Sequence, residues 1–494
     1  MITFKKLDEV YSRVIADNGI VYELSEAFER FVPNYRHMKA FKSGSWNGKK
    51  SFIHKQNGKF YSGLLKDIWQ ECKSRGYNEF KFEGYDKSTP YTKESIIERL
   101  NGFVLPPDKP LRDYQIEAIV ECLTKKRRII LSATSSGKSL IIYCISRILV
   151  EDGYKIVLMV PSVMLVNQMI SDFKEYAEND TYDIDEFHHK VYAGQDKFVE
   201  KQVVVTTWQS LNAIADNSLK KSFLEEFDVV INDEVHTADA KVLGGLLELT
   251  TNASFRFGFT GTLGEESKSM KESLVGLFGK DIRVNTTREL MDRGQIATLD
   301  IKSIILSYPD HIRKLTYKME YKDELDTIIG YENRNKFIVK LCRSLKGNTL
   351  ILFRFVEKHG KILRDLLEKE TGKKVFLITA ETDDDIRSDI KAELETLEDA
   401  IILGSYGLLS TGVSIVNLRY LIAASPTKSK IRILQSIGRI LRKNDAKSHA
   451  TFFDIVDDLT WKNERNYAMN HYKIRHDYYI QEEFDVDIKG VDLA

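Results

Sequence analysis

Gly137-Lys138-Ser139 lies between an apolar run, Arg128-Ile129-Ile130-Leu131, and a stretch patterned as a helix. A loop that leaves a strand and opens a helix aims backbone N–H groups at a phosphate, with the helix N-terminus behind them. Thr134, Ser135, Ser136 and Gly137 would form that loop, Lys138 would bring a point charge to the β- and γ-phosphates, and the Ser139 hydroxyl would bind magnesium. The pattern is imperfect, because Ser132 stands where the generic motif opens with glycine. Asp233-Glu234-Val235-His236 follows a second apolar run, Asp228-Val229-Val230-Ile231. A carboxylate at the end of a covered parallel strand sits where open α/β sheets bind ligands. Asp233 would hold magnesium through water, Glu234 would orient or deprotonate an attacking water, and His236 would relay the nucleotide state. Alone, either patch is compatible with a solvated turn or strand end. Together, at domain-scale spacing, they point to nucleoside triphosphate hydrolysis.

Far downstream stands Gln435-Ser436-Ile437-Gly438-Arg439-Ile440-Leu441-Arg442. On a helix, Arg439 and Arg442 share a face and could both serve a γ-phosphate, although an isolated pair of this kind is commonly a surface stripe. A different chemistry marks the N-terminal region. No acidic residue lies between Glu29 and Asp67, a window holding Arg30, Arg36, Lys39, Lys42, Lys49, Lys50, Lys55, Lys59 and Lys66. Tyr35, Phe41, Trp46, Phe52, Phe60 and Tyr61 are interleaved with them. The basic face suits salt-dependent phosphate binding. Most of the aromatics are expected in the module's core, and an exposed one could stack on bases.

These groups need scaffolds. Short apolar runs alternate with helical stretches from about residue 111 onward. In the first set are residues 128–131, 155–160, 203–205, 228–231 and 255–259; in the second, 349–353, 374–378, 400–403, 420–424 and 451–453. Nearly continuous apolar strands alternating with helices predict parallel sheets covered on both faces. The expected layout is a small mixed α/β module over 1–90, a proline-marked linker over 91–110, one α/β domain over 111–295, a second over 296–460, and a helical tail over 461–494. Lys+Arg and Asp+Glu are both 73, so net charge alone points to no polyanion, and local patches must carry that argument. Cys72, Cys122, Cys144 and Cys342 are too scattered for a zinc or disulfide framework, and the pattern suits a reducing cytoplasm. No signal peptide or membrane-length apolar run stands out, so no membrane association is expected.

In this order, the motifs over about 111–460 resemble superfamily 2 helicases of the DExH type. Arg112-Asp113-Tyr114-Gln115 resembles the adenine-recognition motif, with Arg112 and Gln115 as base contacts. Pro161-Ser162 and Thr207-Trp208 resemble strand-contacting motifs, and Thr260-Gly261-Thr262 resembles the coupling motif. Phe353-Arg354 begins the next motif, with Arg354 facing nucleic acid. Ser410-Thr411-Gly412-Val413-Ser414 resembles a further helicase motif, which implies that Thr411 contacts nucleic acid and Gly412 the nucleotide, with Gln435 among the nucleotide contacts. Two departures are Ser135, where relatives often have glycine, and Ser414, where many have aspartate.

More narrowly, Phe41 to Lys49 is similar to the aromatic-Gly-x-Trp-x-Gly segment of UvsW-type phage helicases, and Tyr321 to Lys336 is similar to part of their second domain. That resemblance implies two tandem RecA-like parallel-sheet domains preceded by a small α/β N-terminal DNA-binding domain. It implies ATP and Mg2+, and branched DNA contacted by Arg36, Lys39, Lys42, Trp46 and Lys49. It also implies fork regression, branch migration and junction unwinding in recombination, repair and replication, alongside other proteins of those processes. A monomer acting in the cytoplasm, the host's if the gene is a phage's, is the expected form. The motifs alone leave open a DExH RNA helicase, a DNA-stimulated translocase that separates no strands, a non-catalytic clamp, and a motor subunit with a nuclease partner.

Overall fold

Each apolar run named above becomes a strand. The computed structural model describes residues 1–86, 88–192, 200–236, 240–261, 268–379, 381–406, 417–443 and 447–493. The chain forms two compact units: Met1–Ser132 with Gly137–Val284, and Asn285–Ala494 with the loop Ala133–Ser136. No helix among the described residues is long and apolar enough to cross a membrane.

The first unit is built on a seven-stranded sheet in the edge-to-edge order Asp281–Arg283, Arg127–Leu131, Phe255–Thr260, Val229–Asp233, Ile156–Val160, Val203–Thr207 and His188–Val191. All its neighbours pair in parallel. Ile156–Val160 is buried at every position, as expected for a strand covered on both faces. Parallel pairing places Leu131 and Asp233, and hence the loops that follow them, at the same edge of the sheet.

The N-terminal module forms a separate mixed sheet in the order Lys59–Tyr61, Tyr11–Ile15, Ile2–Lys6 and Phe80–Glu83. Its core is continuous with one face of the seven-stranded sheet: Phe4, Phe60 and Ile68 share a cluster with Ile129, Val157, Leu274 and Phe278. The seam runs along the helix Lys268–Phe278. A Cβ on Gly276 would meet the Tyr61 ring at 2.9 Å, and one on Gly63 would run into the carbonyl of Val275. Arg30 pairs with Glu272 at 2.6 Å, Lys280 with Asp67 at 2.7 Å, and Tyr61 donates to Glu248 at 2.5 Å. These contacts bury apolar surface and satisfy its polar rim, so the module packs as part of the first unit.

The stretch expected as a linker contains the helix Lys93–Asn101. Thr92 accepts from the Ser95 N–H while the Ser95 hydroxyl accepts from the Thr92 N–H, a capping box that overrides the prolines after it. Ile96 and Leu100 then reach the main core.

The second unit is also a seven-stranded parallel sheet: Val375–Ile378, Ile401–Ser405, Thr349–Phe353, Tyr420–Ala423, His449–Asp458, Thr298–Ser307 and Val486–Asp492. Residues 461–494, expected to be helical, contribute the helix Tyr467–Gln481 and then the edge strand Val486–Asp492. Two buried ion pairs tie helices to the long strand His449–Asp458: Arg334 to Asp457 at 2.6 Å, and Arg475 to Asp454 at 2.8 Å. The Tyr479 hydroxyl also donates to Asp454 at 2.8 Å. Removing one partner from such a pair leaves an uncompensated buried charge, at a cost of about 3–5 kcal/mol.

Candidate nucleotide and nucleic-acid sites

Strand Arg127–Leu131 passes through the loop 132–137 into the helix Lys138–Glu151. Gly137 caps that helix with φ 79°, in the left-handed region, and a Cβ there would lie 2.5 Å from Gln115 Nε2. The residue thus meets two demands that glycine satisfies, a positive φ and a close neighbour. Ser135 has φ 66° without being glycine, so the departure noted in the sequence carries backbone strain of about 1–2 kcal/mol. Ser136 is buried and its N–H donates to the Ala133 carbonyl at 3.2 Å; Thr134 is half-buried. The Gln115 side chain is buried, and its Oε1 accepts from the Arg112 N–H at 2.9 Å. The Arg112 guanidinium donates to the Tyr114 hydroxyl at 3.0 Å.

The carboxylates sit beside the helix start. Lys138 Nζ stands 3.8 Å from Glu234 Oε1, and the Glu234 N–H donates to Asp233 Oδ1 at 3.0 Å. Burial, with the Glu234 carboxylate beside it, pushes Asp233 well above the usual carboxylate range, and Lys138 opposes that shift. A cation at Asp233 would reverse it, as fits a metal-binding carboxylate. Glu234 holds φ 54°, a strained backbone at the position expected to handle water. His236 Nδ1 lies 3.3 Å from Glu234 Oε2 and 2.5 Å from Thr260 Oγ1. Burial lowers the His236 pKa, keeping the ring neutral near pH 7.

Ser139 shares a hydrogen bond with the Tyr176 hydroxyl at 2.8 Å, a partner 37 positions away that no motif announces. Either hydroxyl can be the donor, and with Ser139 donating its lone pairs are left for a cation. The described residues contain no group of three or more His, Cys, Asp or Glu able to hold a metal ion. Ser139 and Asp233 nonetheless fit magnesium of the phosphoryl-transfer kind, which takes few protein ligands and completes its shell with phosphate oxygens and water.

The strand-contacting candidates have mixed fates. Ser162 caps the helix Val163–Tyr176 by accepting from the Leu165 N–H, and Gln209 ties the Pro161 carbonyl to the next motif at 3.3 Å. Thr207 is buried and caps Trp208–Asn212 through the Ser210 N–H, so its hydroxyl is committed to the fold; Trp208 packs against the core. In the N-terminal module, Arg36, Lys39 and Lys42 are exposed. Trp46 is half-buried with its indole N–H on the Lys49 carbonyl at 2.7 Å, and Lys49 Nζ is 3.4 Å from Glu29. Phe52 and Phe60 are core residues, whereas Phe31 is 52% exposed and stacks on Tyr35, leaving an aromatic face among the cations.

In the second unit, Gln435 and Arg439 lie on the helix Lys430–Ile440. That helix ends at Ile440, so the shared-face argument does not extend to Arg442, which lies two residues beyond it. Arg354 is exposed just beyond strand Thr349–Phe353, with its N–H on Ser425 Oγ at 3.1 Å. Thr262, Thr411 and Gly412 lie outside the described residues.

Two family models match the chain: the type III restriction enzyme res subunit over residues 108–265, and the helicase conserved C-terminal domain over 333–444. The ATP-dependent DNA helicase uvsW of Enterobacteria phage T4 is 31% identical over 511 residues, covering 98% of this chain and 98% of that protein. The chain belongs to the UvsW-type helicases. The crystal structure of T4 UvsW matches this UvsW-type helicase along 100% of both chains, at 29% identity and a TM-score of 0.51. The DNA 3'-5' translocase XPB2 of Sulfurisphaera tokodaii is 26% identical over 390 residues, 72% of this UvsW-type chain and 84% of its own. The resemblance read from the motifs is therefore family membership, and the two parallel sheets are the RecA-like pair of superfamily 2.

Proposed function

We propose that this ATP-dependent DNA helicase remodels branched DNA, by fork regression, branch migration and junction unwinding in recombination, repair and replication. The observation that carries the reading is the gathering of Lys138, Asp233 and Glu234 at one edge of a parallel sheet, in a chain similar over its full length to a DNA helicase.

Lys138 draws the β- and γ-phosphates to the start of its helix, where Gly137 lets the backbone approach. Glu234 Oε1 lies close enough to Lys138 to orient a water against the terminal phosphate. Magnesium, held by Ser139 and by Asp233 through water, would neutralise phosphate charge as the bond breaks. Arg439 and Arg442 are assigned the stabilisation of transition-state charge. His236 joins the water-orienting carboxylate to Thr260, the first residue of the coupling motif. Arg36, Lys39 and Lys42 give the N-terminal module its DNA-binding face, and Arg354 contacts the tracked strand.

The test is ATP-dependent strand separation on a fork, a four-way junction and a linear duplex, with an RNA duplex alongside. Preference for the fork and junction supports the reading. Equal activity on linear duplex, or a preference for RNA, overturns it.

A further inference from the structure

Three aromatic rings converge at the carboxyl-terminal edge of the second sheet. Tyr321, first residue of the helix Tyr321–Gly330, meets Tyr467 edge to face with centroids 5.6 Å apart, and meets His471 at 5.1 Å. Tyr467 opens the helix Tyr467–Gln481, and the strand before it, His449–Asp458, runs parallel to Tyr420–Ala423 and so to Thr349–Phe353. Tyr467 and Arg354 thus follow strand ends on the same edge, where open α/β sheets receive ligands.

The cluster is held rigidly. Glu324 is buried on the helix of Tyr321, and its carboxylate accepts from the N–H groups of Tyr467 at 3.0 Å and Ala468 at 2.9 Å and from Asn466 Nδ2 at 3.0 Å. A carboxylate at a helix N-terminus satisfies free N–H donors and the helix dipole together. Glu324 therefore locks the two helices at the residues that carry the tyrosines. Tyr467 still stands 41% exposed. A core role accounts poorly for a ring held this firmly and left in water.

The surroundings are cationic. Arg354 donates to the Tyr321 hydroxyl at 3.1 Å, with its guanidinium 5.8 Å from that ring. Burial, then Arg475, Lys428 and Arg354, lower the His471 pKa to about 4, so the ring is a neutral aromatic at neutral pH. His471 Nδ1 has no hydrogen-bond partner among the described residues.

We propose that Tyr321, Tyr467 and His471 form a stacking platform for a base of single-stranded DNA, with Arg354 on the adjoining phosphate. The platform rests on the DNA-helicase reading and adds to it a site on the second unit that grips a base rather than backbone alone. Stacking tolerates any base, as a motor that ignores sequence requires.

The test uses the full-length protein and a single-stranded deoxyoligonucleotide carrying 2-aminopurine, read by fluorescence and by titration of binding. Tyr467→Ala is expected to weaken binding about tenfold and to reduce the 2-aminopurine signal change, the scale of one lost base stack. Tyr467→Phe should restore both, and Ile480→Ala, at a 59% exposed position of the same helix, should change neither. Unchanged affinity and signal in Tyr467→Ala would overturn the platform, as would failure of Tyr467→Phe to restore them or a loss confined to a ribo-oligonucleotide. Direct binding separates the two readings. Wild-type protein that binds the strand through Tyr467 but fails to unwind branched DNA would keep the platform and overturn the function.

Discussion

His236 Nδ1 stands 2.5 Å from Thr260 Oγ1, and the same imidazole edge is 3.3 Å from the Glu234 carboxylate. One neutral ring thus touches the group assigned to water and the first residue of the coupling motif. His236→Ala should reduce strand separation far more than hydrolysis: we expect unwinding to fall at least about tenfold relative to ATP turnover, a change of about 1.4 kcal/mol in coupling. Parallel measurement of phosphate release and fork unwinding checks this, and equal losses would assign His236 to hydrolysis alone.

Acid should weaken both units. Burial depresses His188 in the first unit to about 4 and His359 in the second to about 3. Their folded pKa lies below the unfolded value of about 6.5, so the unfolded chain binds more protons in between. Stability is therefore full above pH 6.5 and is lost as pH falls toward the folded values, by about 2 kcal/mol per residue at pH 5. Denaturant titrations at pH 7 and pH 5 measure the loss. His359→Gln should flatten the part belonging to the second unit.

The seam between the N-terminal module and the helix Lys268–Phe278 depends on two glycines. Gly276→Ala would press its methyl group into Tyr61 Cβ at 2.8 Å and should cost about 1–3 kcal/mol of stability. In a double-mutant cycle with Tyr61→Ala, which keeps Cβ but removes the ring atoms that the new methyl group would meet at 2.9 Å, the two losses should be less than additive. Strict additivity in thermal or denaturant unfolding would place the strain elsewhere.

Most of the scaffold was legible because covered parallel strands are apolar on both faces; Thr349–Phe353 matches its expected bounds at both ends. The strands that escaped notice lack that signature. Thr298–Ser307 begins with alternating polar residues just past the expected boundary at 295/296, and Val486–Asp492 is a charged edge strand whose pairing is tertiary. The helix at Lys93–Asn101 did carry a signal, Thr92 followed three positions later by Ser95, but neighbouring prolines suggested a linker. In the candidate nucleotide site the residue types and their spacing are plain in the sequence. The left-handed backbone of Ser135 and Glu234, and the Tyr176 partner of Ser139, arise from loop closure and packing and leave no local pattern.

Charge on the N-terminal module should set the salt dependence of DNA binding. Arg36, Lys39 and Lys42 are exposed, so the triple substitution to Ala leaves the core untouched. Each phosphate contact contributes about 0.9 to the slope of log affinity against log salt, so the triple variant should lose about 2–3 from that slope on duplex DNA. An unchanged slope would remove these residues from the interface.

The most direct measurement is ATP turnover by Glu234→Gln, with nucleotide binding followed in the same protein on branched DNA. The account predicts that ATP still binds, that hydrolysis falls at least about 100-fold, and that junction unwinding stops with it. Turnover near wild type, or unwinding without hydrolysis, would contradict the claim that Lys138, Asp233 and Glu234 form the centre that drives this helicase.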